Sequence, residues 1–275
     1  TGTNAYGAAQ GVMIHAASST GFVTAVSNGA NDVDLQLRAL NGGSANSNQL
    51  VLDSEGGVGI GTSSPSLASG WSRVVHVDGS AGAHVSFTNS TTGSSNTDGL
   101  LVGQFGVNSF FINREAGYQA FHTSNTERMR IDAVGAVTKP YQPNFWARRN
   151  GDETGFDFNS LTTAVAFNYE EHDANADFNT SNGLFTAPVD GTYYFEAAVY
   201  ASAVSMSQSW FVVNSARKGG TDWVASAGTN FVQNGTIIKL DANDTVGFHP
   251  YNSSTGSGTI TASINHTYFK GYLLG

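Results

Sequence analysis

Seven acidic side chains fall between positions 152 and 177: Asp152, Glu153, Asp157, Glu170, Glu171, Asp173 and Asp177, with no Lys or Arg among them. Oxygen-rich loops can bind calcium, and paired carboxylates can hydrolyse glycosidic bonds. The Asp-x-Asp-x-Asp-Gly spacing of a calcium loop is absent, so a solvated loop is expected. The seven histidines (His15, His76, His84, His122, His172, His249 and His266) show no His-x-His or His-x-x-x-His spacing, and no metal site is assigned. Gly57-Val58-Gly59-Ile60-Gly61 lacks the Gly-x-Gly-x-x-Gly order of a dinucleotide fingerprint and runs into Pro65, which argues against the helix such a site needs. The expectation is a β-turn. The chain has no cysteine, hence no disulfide framework or thiol nucleophile. Ser, His and Asp are present without a nucleophile motif. Neither an enzyme nor a cofactor is expected.

Binding chemistry is better represented. A loop expected at Ser215–Trp223 brings Arg217, Lys218, Asp222 and Trp223 together, two cations, a carboxylate and an indole. His249-Pro250-Tyr251 precedes a Gly/Ser-rich stretch reaching Gly258. Aromatic rings flanked by polar groups suit sugars, which present apolar faces and hydroxyl edges. Arg217, Lys218, Asp222, Trp223, His249 and Tyr251 are therefore the candidate receptor-binding residues. The alternative for Trp223 is that it begins a strand and packs in a core.

The elements that must carry these residues read as strands. With 275 residues the chain has room for about two domains. Charged residues make up only 12%, against about 25% in an average protein, and Gly, Ser, Thr and Asn replace them. A net charge of −9 without a basic run excludes a nucleic-acid footprint and disfavours anionic membrane surfaces. No apolar run is long enough for a membrane-spanning helix, and the start TGTNAYGAAQ lacks the parts of a signal peptide. Opening on Thr1, the sequence is expected to continue upstream.

Eight of the ten tyrosines and three of the four tryptophans lie beyond Thr138. Pro140 and Pro143 end any regular element there, so the domains are placed at 1–138 and 139–275. The first contains a weak repeat, apolar-x-apolar-Asp-x-x-Gly-x-Val, at Leu50–Val58 and again at Met129–Val137. It reads as a β-hairpin used twice in an elongated array. Strands are expected at Val33–Leu40, Val74–Val77, His84–Thr88, Phe110–Asn113 and Arg128–Asp132. In the second domain they are expected at Val165–Tyr169, Gly191–Ala201, Ser209–Asn214, Thr229–Leu240, Asp244–Tyr251, Gly258–Asn265 and Tyr268–Leu274. Turns are expected at Asn182-Gly183, Asp190-Gly191 and Asn234-Gly235. Many short strands at this spacing argue for a sandwich.

Within residues 139–275, Gly183–Phe195 (GLFTAPVDGTYYF), Leu240–Val246 (LDANDTV) and Phe269–Leu274 (FKGYLL) resemble, in the right order, the globular head of the C1q family. The resemblance implies a trimeric jelly roll that recognises other molecules with its surface, although the collagen stalk of that family is missing. Val58–Pro65 (VGIGTSSP), Val75-His76-Val77 and Asn125–Asp132 (NTERMRID) resemble shaft segments of bacteriophage tail fibres and tailspikes. Together they imply an all-β protein, an elongated trimeric β shaft followed by a C1q/TNF-like jelly-roll sandwich. The implied role is a tail fibre of the virion, outside the cell, that attaches to a host-surface glycan or protein receptor and joins upstream fibre or tail proteins. Neither nucleic acid nor membrane insertion is implied. A bacterial surface adhesion or structural protein, or a glycan-depolymerising tailspike, would use related architecture.

Overall fold

A computed structural model describes residues 50–275 apart from 54–55, 63, 67–71, 161–162, 203, 205, 222–229 and 254–255, together with the strand residues 11–17, 20–26, 35–37, 40–41 and 44–45. Every regular element among the described residues is a strand. In the first part these are β1 (Gly11–Ala17), β2 (Thr20–Val26), β3 (Leu35–Leu37), β4 (Leu40–Asn41), β5 (Ser44–Ala45), β6 (Leu50–Leu52), β7 (Val58–Ile60), β8 (Val75–Val77), β9 (Gly82–Phe87), β10 (Leu100–Phe105) and β11 (Asn108–Asn113). Then come β12 (Gln119–Thr123), β13 (Thr126–Ile131), β14 (Val137–Thr138), β15 (Asn144–Arg148), β16 (Glu153–Asp157), β17 (Tyr169–Asp173), β18 (Phe178–Asn179) and β19 (Leu184–Thr186). The last are β20 (Gly191–Ser202), β21 (Gln208–Val213), β22 (Ala216–Thr221), β23 (Phe231–Leu240), β24 (Thr245–Tyr251), β25 (Ser257–Ile260) and β26 (Tyr268–Leu273). The chain divides into two compact units, Thr1–Tyr118 and Gln119–Gly275. The small sheet β12-β13-β14 thus groups with the second unit.

In the first unit β3-β6-β7-β8 form one sheet and β9-β10-β11 another. The repeat folds as the alternation demands. At its first copy Gly56 N–H donates to Asp53 O and Asp53 N–H to Gly57 O; at its second Gly135 donates to Asp132 O and Asp132 to Ala136 O. Gly56 and Gly135 sit at φ 86° and 89°, a conformation that only glycine adopts without penalty. The Asp132 carboxylate also accepts from Val134 and Ala136 N–H. Gly59 lies within strand β7, and no helix follows it among the described residues.

The second unit is a two-layer sandwich. One sheet runs β16-β25-β20-β26-β15-β17 with β23 also paired to β20; the other runs β18-β19-β24-β21-β22. Alternation on β20 sends Tyr193, Phe195, Ala197 and Val199 into the interior, all fully buried, and Tyr194 and Glu196 outward. The same sheet adds Phe145 and Phe269, and the facing sheet supplies Phe178, Phe185, Phe211 and Phe248. Phe145 stacks on Phe178 at 4.7 Å and meets Phe269 edge-on at 4.9 Å. Tyr193 satisfies its buried hydroxyl on Val189 O at 2.8 Å.

Three local expectations are corrected. Asn234-Gly235 is not a turn: it lies inside β23, opposite Ala197 and Glu196. Glycine is needed there because a Cβ would come within 2.9 Å of the Tyr194 hydroxyl. Val165–Asn168 is not strand, although Val165 and Phe167 are fully buried. Val165 N–H donates to Phe248 O, and Arg149 holds Ala166 O. The strand comes later, at Tyr169–Asp173. Ala216–Thr221 is strand β22 rather than loop, because Asn214 and Ser215 both take positive φ (47° and 67°) and turn the chain straight back onto β21.

The acidic residues serve the framework. Asp173 accepts from Phe178 and Asn175 N–H, Asp152 from Ala262 N–H, and Glu153 pairs with Arg149 at 3.0 Å. Among the described residues no group of three or more His, Asp or Glu side chains is placed to hold a metal. Nor is any helix there long and apolar enough to cross a membrane.

Candidate functional site

Two surfaces of the second unit carry chemistry. The first is the outward face of the β23-β20-β26-β15-β17 sheet. Register places Ile237, Tyr194, Tyr272 and Asn144 in one row across the strands. The next row holds Gly235, Glu196, Lys270, Trp146 and His172, and the third Gln233, Ala198, Tyr268, Arg148 and Tyr169. Ile237 is 62% exposed and Tyr272 47%, and Trp146 and Tyr169 are also exposed.

At the centre of this face Glu196 gathers a polar cluster. Tyr268 donates to its Oε1 at 2.6 Å, Lys270 lies 3.1 Å from the same oxygen, and Gln233 donates to it at 3.2 Å. Tyr194 donates to Oε2 at 3.2 Å. Burial pushes the Glu196 carboxyl up, but hydrogen bonds from Tyr268 and Lys270 outweigh it and leave it below the ordinary carboxylate range. Burial and the adjacent carboxylate push the Tyr268 phenol well up. Beside this cluster Arg148 lies over the Tyr169 ring at 4.0 Å and pairs with Glu171.

The second surface is the outward face of the β24-β21-β22 sheet, where most of the candidate receptor residues fall. Arg217 on β22 lays its guanidinium 3.7 Å from the Trp210 ring centroid and 5.9 Å from that of Tyr251; the two rings are 4.9 Å apart. Lys218, exposed, is the extra residue of a bulge in the β21–β22 pairing. His249 faces Trp210 across the ladder. It is only 3% exposed, and its Nδ1 has no hydrogen-bond partner among the described residues. Burial, aided by the Arg217 charge, pulls its imidazole down to about 4. Asp222 and Trp223 lie outside the described residues.

The structure therefore joins Arg217, Tyr251 and His249, with Lys218 alongside. It adds Trp210, which the sequence reading did not single out. Its signal was present: on β21, Gln208, Trp210 and Val212 share the face opposite the core residues Phe211 and Val213. Gly220 opposite Trp210 makes room for the indole, since a Cβ there would lie 2.1 Å from its Cδ1. The result is an exposed guanidinium and ammonium backed by two rings, suited to hydroxyl or carboxylate groups approaching from solvent.

Comparison with known proteins fits the two-layer geometry. The C1q domain model matches residues 145–274. No curated protein matches the chain. Among solved structures, the globular domain of zebrafish complement 1qA protein is 23% identical with a TM-score of 0.38, over 49% of this chain and 98% of that one. Eiger TNF from S. frugiperda is 9% identical with a TM-score of 0.36, over 50% of this chain and 94% of that one. Murine APRIL is 11% identical with a TM-score of 0.34, over 48% and 99%. Every regular element among the described residues is a strand, and residues 145–274 match the C1q domain, folded as a two-layer jelly-roll sandwich.

Proposed function

We propose that this chain is part of a homotrimeric phage tail fibre that attaches the virion to a host-cell surface, residues 1–138 serving as shaft and residues 139–275 as head. The observation that carries the proposal is the outward sheet face around Glu196. Tyr194, Tyr272, Trp146 and Ile237 surround a nearly complete hydrogen-bonded cluster there. A protein surface left in water has little use for such an array, whereas a threefold contact would bury the rings and keep the charges satisfied. The motifs of residues 58–65 and 125–132 support the fibre context.

In this reading the head binds a glycan on the face formed by Arg217, Lys218 and Tyr251, backed by Trp210 and His249. Tyr251 offers a ring to a sugar face, and Arg217 and Lys218 donate to hydroxyl or carboxylate oxygens. Three such faces per fibre would raise weak single-site binding by about 10²–10⁴ through avidity. The role is binding, not catalysis.

A glycan array probed with the purified chain tests the recognition step. A defined set of glycans should be retained, and Arg217→Ala with Lys218→Ala should abolish retention without changing the protein's mass in solution. Retention unaffected by that double variant would remove the assignment of this face.

A further inference from the structure

The two sheets of the second unit divide the charge between them. Glu153, Asp157, Glu170, Glu171, Asp173 and Glu196 all stand on strands of the β16-β25-β20-β26-β15-β17 sheet. The strands β18, β19, β24, β21 and β22 of the other sheet contain no Asp or Glu, in a chain with 21 of them. Their charged side chains are Arg217 and Lys218, adjacent on β22 and both exposed. His249 on the same sheet is buried and held neutral by that burial. Asp244, at the turn before β24, is taken up by the Asn214 side chain and the Asp241 N–H.

Elsewhere in this unit Arg130, Arg148, Arg149 and Lys270 each pair with a carboxylate. Among the described residues Arg217 and Lys218 have no such partner, and the Arg217 guanidinium has no hydrogen-bond acceptor. Its contact is with rings: it lies 3.7 Å from the Trp210 centroid and 5.9 Å from that of Tyr251. At stacking distance the indole covers one face of the group and leaves its N–H edge to solvent. Stacking also fixes the side chain before a ligand arrives, so less rotamer freedom is lost on binding.

We infer that the glycan of this face is a carboxylated sugar of the uronate or sialate type, its carboxylate held by the Arg217 fork beside Lys218 and its ring set against Tyr251. This inference rests on the glycan-binding reading above. A planar carboxylate offers two oxygens to the guanidinium fork, and a charge-assisted pair is about twice as strong as a contact to a neutral hydroxyl. Such sugars carry the carboxylate directly on the ring, which suits a guanidinium and an aromatic ring 5.9 Å apart. The net charge of −9 does not oppose this. At physiological salt exposed charges are screened over about 8 Å, so the cations of the sheet itself set the local field.

The full chain is titrated by biolayer interferometry with oligosaccharides of polygalacturonate, alginate and hyaluronan and with sialyllactose, each beside its carboxyl-reduced twin, and with dextran sulfate. At least one carboxylated probe should bind, and its reduced twin should bind about tenfold more weakly or worse. Arg217→Lys keeps the charge but loses the fork, and should weaken that probe by about tenfold while the urea midpoint and the mass in solution stay unchanged. A reduced twin that binds equally well overturns the carboxylate and leaves the glycan reading in place. So does a chain that ignores every carboxylated probe but retains neutral glycans on the array. A chain that retains neither removes both readings. Dextran sulfate bound as tightly as any carboxylated probe, and equally by Arg217→Lys, would mean general attraction of polyanions and also overturns the inference.

Discussion

Tyr268 donates its hydroxyl to Glu196 across 2.6 Å, from one strand to its neighbour on the outward face of the same sheet. The contact lies diagonal to the ladder: Glu196 is directly opposite Lys270, and Tyr268 opposite Ala198. One carboxylate thereby binds two strands through a phenol and an ammonium, and the third strand through Gln233.

Removing the carboxylate should therefore cost more than removing one donor. Glu196→Ala strands Tyr268, Tyr194 and Lys270 together and should destabilise the second unit by about 2–3 kcal/mol, read as a lower urea midpoint. Tyr268→Phe leaves the carboxylate held by Lys270 and should cost about 1 kcal/mol. If this face is the subunit contact, both variants should also raise the concentration at which trimers dissociate.

Acid should weaken the fold through His249. Its imidazole takes up a proton near pH 6.5 when unfolded and only near 4 when folded. Between those values the unfolded chain binds more protons, so stability falls as pH drops from 6.5 to about 4 and then levels off. The full loss is roughly 3 kcal/mol, at 1.36 kcal/mol per pH unit. Glu196, held low, adds a further loss only as pH falls below the ordinary carboxylate range. His249→Gln should flatten the upper window and leave the lower one, as thermal melts between pH 7 and pH 2.5 would reveal.

The interior offers a larger effect. Phe195 is fully buried, with Phe185 at 5.5 Å and Phe269 at 5.9 Å between ring centroids. Phe195→Ala should cost about 3–5 kcal/mol through lost burial and the cavity left behind, measured by urea unfolding followed at the aromatic signal.

At the repeat turn, Asp132→Ala removes the acceptor for two backbone N–H groups, Val134 and Ala136. The effect should stay local: amide exchange at 133–138 should accelerate severalfold, with global stability lowered by about 1 kcal/mol.

Much of this architecture was readable beforehand because it follows from period-two alternation. The Tyr193/Phe195 and Tyr194/Glu196 split on β20 is a direct consequence of the pleat, and the paired Asp-x-x-Gly turns announce themselves by their spacing. The misreadings share another cause. Asn234-Gly235 looks like a turn, but its glycine answers to the Tyr194 ring one strand away. Strand β22 holds Arg217-Lys218-Gly219-Gly220, a poor strand former alone, and forms because the turn at Asn214-Ser215 delivers it to β21. Trp210 and His249 belong together only through the pairing of β21 with β24, which links positions 39 residues apart.

The homotrimer is the claim on which both the avidity and the Glu196 face depend, and light scattering of the purified 275-residue chain tests it most directly. The account predicts a mass of three times 28.8 kDa, stable on dilution through the micromolar range. A monodisperse species at 28.8 kDa would contradict it.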